Sequence, residues 1–129
     1  MESDVLVVDD SAAIRKILQR VLRQTGMPIR AIHEAGDGQE ALDLLKSHPV
    51  DLVLTDINMP KMDGIQLLAA VKAAPQWRHI PVMMVTTEGG ETRVAEAVRL
   101  GASGYVRKPF TADQIKEKLA GILKPAALQ

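Results

Sequence analysis

Val5-Leu6-Val7-Val8-Asp9-Asp10-Ser11 is the stretch that decides the architecture: four consecutive aliphatic residues stop on two carboxylates and a hydroxyl. A run without polar alternation is what a strand covered on both faces requires. Beyond Ser11 the period changes. Ile14, Ile17, Leu18, Val21 and Leu22 recur at i, i+3, i+4, i+7 and i+8, with Arg15, Lys16, Gln19 and Arg20 off the stripe, predicting an amphipathic helix. Ser11 is its expected N-cap, and Gly26 followed by Pro28 is its expected stop.

The same strand-then-helix unit repeats along the chain. Leu52-Val53-Leu54-Thr55 and Val82-Met83-Met84-Val85 read as further central strands, whereas Ile29 to His33 and Ser103-Gly104-Tyr105-Val106 are shorter and more polar, as edge strands are. Between them lie Ala41, Leu42, Leu44 and Leu45, bounded by Gly38 and His48-Pro49, and Ile65, Leu68 and Val71, between Gly64 and Pro75. Val94, Ala97 and Val98 form a thin stripe that closes at Gly101, and Ile115, Leu119, Ile122 and Leu123 a last one ending at Lys124-Pro125. Five βα units with no repeat, low-complexity segment or linker predict an α/β fold, a mostly parallel sheet with helices on both faces. The expectation is one domain over 1–129, with its core at about 5–123 and no second domain.

Composition removes several function classes. The 129 residues carry 16 basic and 16 acidic side chains, so the formal net charge is zero and there is no electrostatic footprint for nucleic acid. The absence of cysteine excludes disulfides, thiol catalysis and thiolate metal sites. Only Trp77, Tyr105 and Phe110 are aromatic, too few for stacking on single strands or a flat ring cofactor. Neither a secretory signal nor an apolar run long enough for a bilayer is visible, so a cytoplasmic protein without membrane contact is expected.

In an open parallel sheet, ligands bind outside the carboxyl ends of the strands. The residues just past the runs are Asp9 and Asp10, Asp56, Thr86 and Thr87, and Lys108 before Pro109. Taken singly, an aspartate or threonine there can be a helix cap. Asp56 resists that reading because Ile57, not a helix, follows it. Taken together the group needs a counter-charge, since two carboxylates about 4 Å apart repel by roughly 4 kcal/mol at an effective dielectric of about 20. Oxygen-only donors without a nearby histidine favour Mg²⁺, which keeps several waters and takes a further oxygen from a phosphate. Lys108 and a threonine hydroxyl then suit phosphoryl oxygens, and Asp56 is the carboxylate placed to be a nucleophile.

These residues, with Met59-Pro60 leading to Asp63-Gly64, Gly101-Ala102-Ser103-Gly104-Tyr105 and Lys108-Pro109-Phe110-Thr111, resemble the receiver domain of two-component response regulators from Val5 to Leu123. The resemblance implies a flavodoxin-like (βα)5 fold with strand order 2-1-3-4-5. It implies that Asp56 accepts a phosphoryl group from a sensor histidine kinase or phosphotransfer protein, and that the chain is a stand-alone switch with no effector domain, not an enzyme. Mg²⁺ would be held by Asp10 and Asp56, by the Asn58 backbone carbonyl, and by Asp9 through water. Lys108 and Thr86 would contact the phosphoryl group, Tyr105 would change rotamer with Thr86, and Lys108-Pro109 would be cis. The Thr86–Gly90 loop, softened by Gly89 and Gly90, and the fourth helix would be the two-state element. The face of the fourth helix, fifth strand and fifth helix would engage an output protein, in a monomer or a phosphorylation-dependent dimer.

Asn58 and Glu88 would tune the loss of the phosphoryl group and resemble the chemotaxis-type pattern; Thr87 departs from the small residue usual at its position. Rival readings are a haloacid-dehalogenase-type phosphatase, an FMN-binding flavodoxin and a degenerate receiver acting unphosphorylated. The first needs Asp-x-Asp after the first strand, and the second a phosphate loop with flanking aromatics; neither pattern is present. Met83 and Met84 read as core filler, Trp77 as a cover over the third helix, and His33, His48 and His79 as too scattered for a metal.

Overall fold

The computed structural model describes residues 2–87 and 91–122; Glu88, Gly89, Gly90, Leu123, Lys124 and Pro125 therefore lie outside the described residues. The chain alternates β1 (Ser3–Val8), α1 (Ala12–Gln24), β2 (Ile29–Ala35), α2 (Gly38–Ser47), β3 (Leu52–Asp56), α3 (Gly64–Ala73), β4 (Val82–Thr86), α4 (Glu91–Arg99), β5 (Gly104–Arg107) and α5 (Ala112–Ala120). The sheet order is β2-β1-β3-β4-β5, with every pairing parallel. This is the order that the resemblance implied and that periodicity could not choose.

Each central run splits its side chains between two cores. Val5, Val7, Leu52, Leu54, Met83 and Val85 pack with Leu18, Leu22, Ile115 and Leu119 of α1 and α5. Leu6, Val8, Val53, Val82 and Met84 face the other way, onto Ala41, Leu45, Leu67, Leu68, Val71 and Ala97 of α2, α3 and α4. The adjacent methionines thus fill opposite cores, and Trp77 packs at the edge of the second. A strand buried on both faces has no use for alternation, which is why β1, β3 and β4 read as continuous apolar runs.

Some boundaries differ from expectation. β2 is an edge strand but the longest, with 7 residues, because its pairing with β1 continues to Ala35. Ile17 and Val98, assigned to helix stripes, are 43% and 54% exposed; α1 and α4 bury narrower stripes than their patterns suggest. Ser11 is the N-cap of α1 as expected, its Oγ accepting from the Ile14 N–H at 3.3 Å. Asp37 caps α2, while Asp63 with Gln66 and Thr111 with Gln114 form capping boxes on α3 and α5.

Candidate functional site

Parallel pairing brings four strand ends to one rim. Val8 is level with Thr55, Asp56 with Val85, and Thr86 with Arg107, so Asp9, Asp56, Thr86 and Lys108 emerge side by side. Asp9 is buried, one carboxylate oxygen accepting from the Ser11 N–H at 2.9 Å and the other from Lys108 Nζ at 2.7 Å. Asp10 beside it is exposed. Asp56 accepts from the Ile57 N–H at 2.8 Å through Oδ1, and its Oδ2 lies 3.6 Å from Lys108 Nζ. Neither Asp9 nor Asp10 caps α1, which removes the bland reading of that pair.

Each of the three carboxylates offers an oxygen to a group spanning no more than 4.8 Å, the one such convergence of acidic, histidine or cysteine side chains among the described residues. At that separation a pair repels by about 3–4 kcal/mol at an effective dielectric of about 20. Lys108 supplies one positive charge to three negative ones. Burial, helped by the charges of Asp9 and Asp10, holds the Asp56 carboxyl above the usual aspartate range, against the pull of Lys108 and the Ile57 N–H. The donor set is all oxygen with net negative charge, so these residues fit a hard divalent cation.

The backbone fixes this arrangement. The Gly64 N–H donates to the Ile57 carbonyl at 2.8 Å, seating the start of α3 against the phosphoacceptor candidate. A Cβ at Gly64 would overlap the Asp56 carbonyl oxygen and sit 3.0 Å from Ile57 Cα. The Lys108 N–H donates to the Thr86 carbonyl at 2.7 Å, joining the last two strand ends, and the Lys108–Pro109 peptide is cis.

The other candidates are more dispersed. Thr86 is buried at the rim, whereas Thr87 is exposed. Tyr105 lies level with Met84, 40% exposed, with Lys118 Nζ 5.8 Å from its ring centroid. Asn58 is exposed in the loop after β3, and Glu88 lies outside the described residues.

Residues 5–120 match the response regulator receiver domain family. The chain belongs to that family. It is 45% identical over 120 residues to the chemotaxis protein CheY of Pseudomonas aeruginosa, covering 93% of this chain and 95% of that one. The solved structure of the chemotaxis response regulator CheY4 of Vibrio cholerae matches with a TM-score of 0.84 and 32% identity, over 95% of this chain and 100% of that one. A structure of the Mn(2+)-bound form of response regulator Rcp1 matches with a TM-score of 0.80 and 27% identity, over 95% of each chain. The chain is thus a CheY-like receiver domain of two-component signalling, a phosphoacceptor module and not a conventional enzyme.

Within this receiver, the helical period marks Arg15 only as an off-stripe residue of α1. Its Nη1 donates to the Asp9 carbonyl at 2.6 Å and its Nε to Glu34 on β2 at 3.0 Å. Its position four residues beyond Ser11 was the available signal, but Glu34 enters only once β2 is known to border β1. The histidines are also less scattered than expected: the His33 and His48 rings lie 4.8 Å apart, and His48 and His79 line one cavity of about 420 Å³.

Proposed function

We propose that Asp56 is the phosphoryl acceptor of this receiver and that Mg²⁺ is its cofactor. The observation that carries this reading is the convergence of Asp9, Asp10 and Asp56 on one point, with the Lys108 ammonium beside Asp9 and Asp56. An oxygen of Asp56 attacks the phosphorus of a phosphohistidine on a sensor kinase or phosphotransfer protein. The P–N bond breaks, the imidazole nitrogen leaves with the electron pair, and an acyl phosphate forms. Asp10, Asp56 and the Asn58 carbonyl would hold the cation, with Asp9 assisting through water; the similar response regulator Rcp1, solved in an Mn(2+)-bound form, supports a divalent ion as the cofactor. When bound, the ion neutralises charge that accumulates on the transferring oxygens.

Lys108 moves its donors from the carboxylates to a phosphoryl oxygen. The Thr86 hydroxyl closes on another, since the new group brings up to about two negative charges and three acceptors. Tyr105 answers that movement and alters the face made by α4, β5 and α5, where Val98, Leu100 and Tyr105 stand exposed. That face receives the output protein. Hydrolysis of the acyl phosphate resets the switch, with Asn58 and Glu88 tuning its rate as the family resemblance implies. The chain thus catalyses only its own phosphorylation and dephosphorylation.

Incubation with acetyl phosphate and Mg²⁺, read by intact mass, tests the assignment. A single phosphoryl adduct is expected on the unaltered chain and none on Asp56→Asn; a full adduct on Asp56→Asn would refute the acceptor. Beryllofluoride, a phosphoryl mimic, is expected to bind only with Mg²⁺ and to shift Tyr105.

A further inference from the structure

The carbonyl of Asp9 belongs to the peptide unit that links Asp9 to Asp10, so whatever holds that oxygen sets the direction in which the Asp10 side chain leaves the backbone. Arg15 holds it, with Nη1 at 2.6 Å. The same guanidinium donates through Nε to Glu34 Oε1 at 3.0 Å, and Arg15 is only 19% exposed. Glu34 lies within β2, level with Val7 of β1, so the anchor is the sheet itself. A planar guanidinium engaged through two nitrogens has little rotational freedom left, which a lysine in its place would keep.

The Asp9 carboxylate has its own partners, Lys108 and the Ser11 N–H. Among the described residues, the exposed Asp10 carboxylate makes no hydrogen bond or ion pair within the chain, so it is the backbone that sets where its Cα–Cβ bond points. Lys16 provides an internal contrast. It also pairs with Glu34, through Oε2 at 3.1 Å, but does not touch the Asp9–Asp10 peptide.

We infer that Arg15, anchored by Glu34, is a positioning residue for the cation site: it fixes the Asp9–Asp10 peptide so that Asp10 meets Asp9 and Asp56. This rests on the reading of Asp10 as a metal ligand. Electrostatics and positioning make opposite claims here. A positive charge beside an acidic pocket repels an incoming cation, so removing Arg15 tightens Mg²⁺ binding if charge alone matters. If positioning matters, removal weakens it, and outer-shell partners of metal ligands are typically worth about 10–100-fold in affinity.

Calorimetric titration of Mg²⁺ into the full chain decides between them, with thermal unfolding in chelator run alongside to report folding. Arg15→Ala is expected to bind Mg²⁺ about tenfold more weakly, and Arg15→Lys, which keeps the charge and loses the fork, to weaken it as well. Lys16→Ala is expected to leave the affinity unchanged. Should Arg15→Ala not fold, Glu34→Gln, which frees the anchor, is expected to weaken binding about threefold, below the range typical of such partners. Unchanged or tighter binding by the Arg15 variants, or by Glu34→Gln standing in for them, overturns the inference, as does equal weakening by Lys16→Ala. An unaltered chain that binds no Mg²⁺ overturns the metal reading as well; Asp10→Asn binding like the unaltered chain overturns the ligand role of Asp10 on which the inference rests.

Discussion

Asp4 and Asp9 are buried carboxylates at opposite ends of β1, and each accepts a short hydrogen bond from a cation. Asp4 takes Arg30 Nη2 at 2.6 Å and His33 Nε2 at 3.3 Å, and its backbone exchanges bonds of 2.8 Å with Asp51. Asp9 takes Lys108 at 2.7 Å, but Asp10 and Asp56 crowd in beside it. At one end the Asp4 carboxylate has both an arginine and a histidine to itself; at the other, among the described residues, Lys108 is the one ammonium paired within a group of three carboxylates. Burial of an acid is therefore not what marks a site. The surplus of like charge is, because it leaves room for an ion that the folded chain does not supply.

The two ends are also held differently, and glycine substitutions separate them. Gly64→Ala at the acidic rim drives a methyl group into the Asp56 backbone. It is expected to cost about 3 kcal/mol or more, the upper end for overpacking. Gly26→Ala, at the far end of α1, has open space around its Cβ and is strained only by its φ of +74°. Its cost is expected near 1 kcal/mol. Denaturant midpoints of the two variants check the order; an equal loss would mean that the contact at Gly64 relaxes freely.

Neutralising each aspartate without metal is expected to move stability in opposite directions. Asp4→Asn loses a charge-assisted acceptor and is expected to cost about 1–2 kcal/mol. The Asp56 pKa is raised in the folded state, so the folded chain holds that proton more tightly than the unfolded one. The ionised carboxylate then costs stability as pH rises through the shifted value. Asp56→Asn is expected to raise stability at neutral pH in chelator by about 1–2 kcal/mol. Denaturant melts at pH 7 measure both changes, and a loss from Asp56→Asn would contradict the charge surplus.

The smallest effect is expected at Glu34. Burial pushes its carboxyl up, but bonds led by Arg15 outweigh that and leave it below its ordinary value. Such a group contributes stability above its unfolded pKa and loses it as pH falls through the lowered one. Glu34→Gln is expected to flatten the acid limb of the stability curve by less than about 1 kcal/mol.

Much of this was legible in the chain. The unbroken runs of β1, β3 and β4 announce a doubly covered sheet and their ends name Asp9, Asp10, Asp56 and Thr86, while the end of the more polar β5 names Lys108. Strand order was not legible from periodicity, because nothing in β2 states that it borders β1. For the same reason Arg15 and Glu34 could not be paired, nor His33 with His48. The exposure of Ile17 and Val98 was invisible because a helix stripe shows which side faces inward, not how far the neighbouring helices reach. Gly64 was seen as a boundary, whereas its contact with Asp56 is a fact of the tertiary backbone.

Mg²⁺ titration by calorimetry into the unaltered chain, Asp4→Asn and Asp10→Asn tests the central claim most directly. The account predicts one Mg²⁺ per unaltered chain and an unchanged affinity for Asp4→Asn, with binding lost or weakened at least tenfold in Asp10→Asn, as expected for loss of a ligand beside the outer-shell range of about 10–100-fold. Equal binding by all three, or none by the unaltered chain, would contradict it.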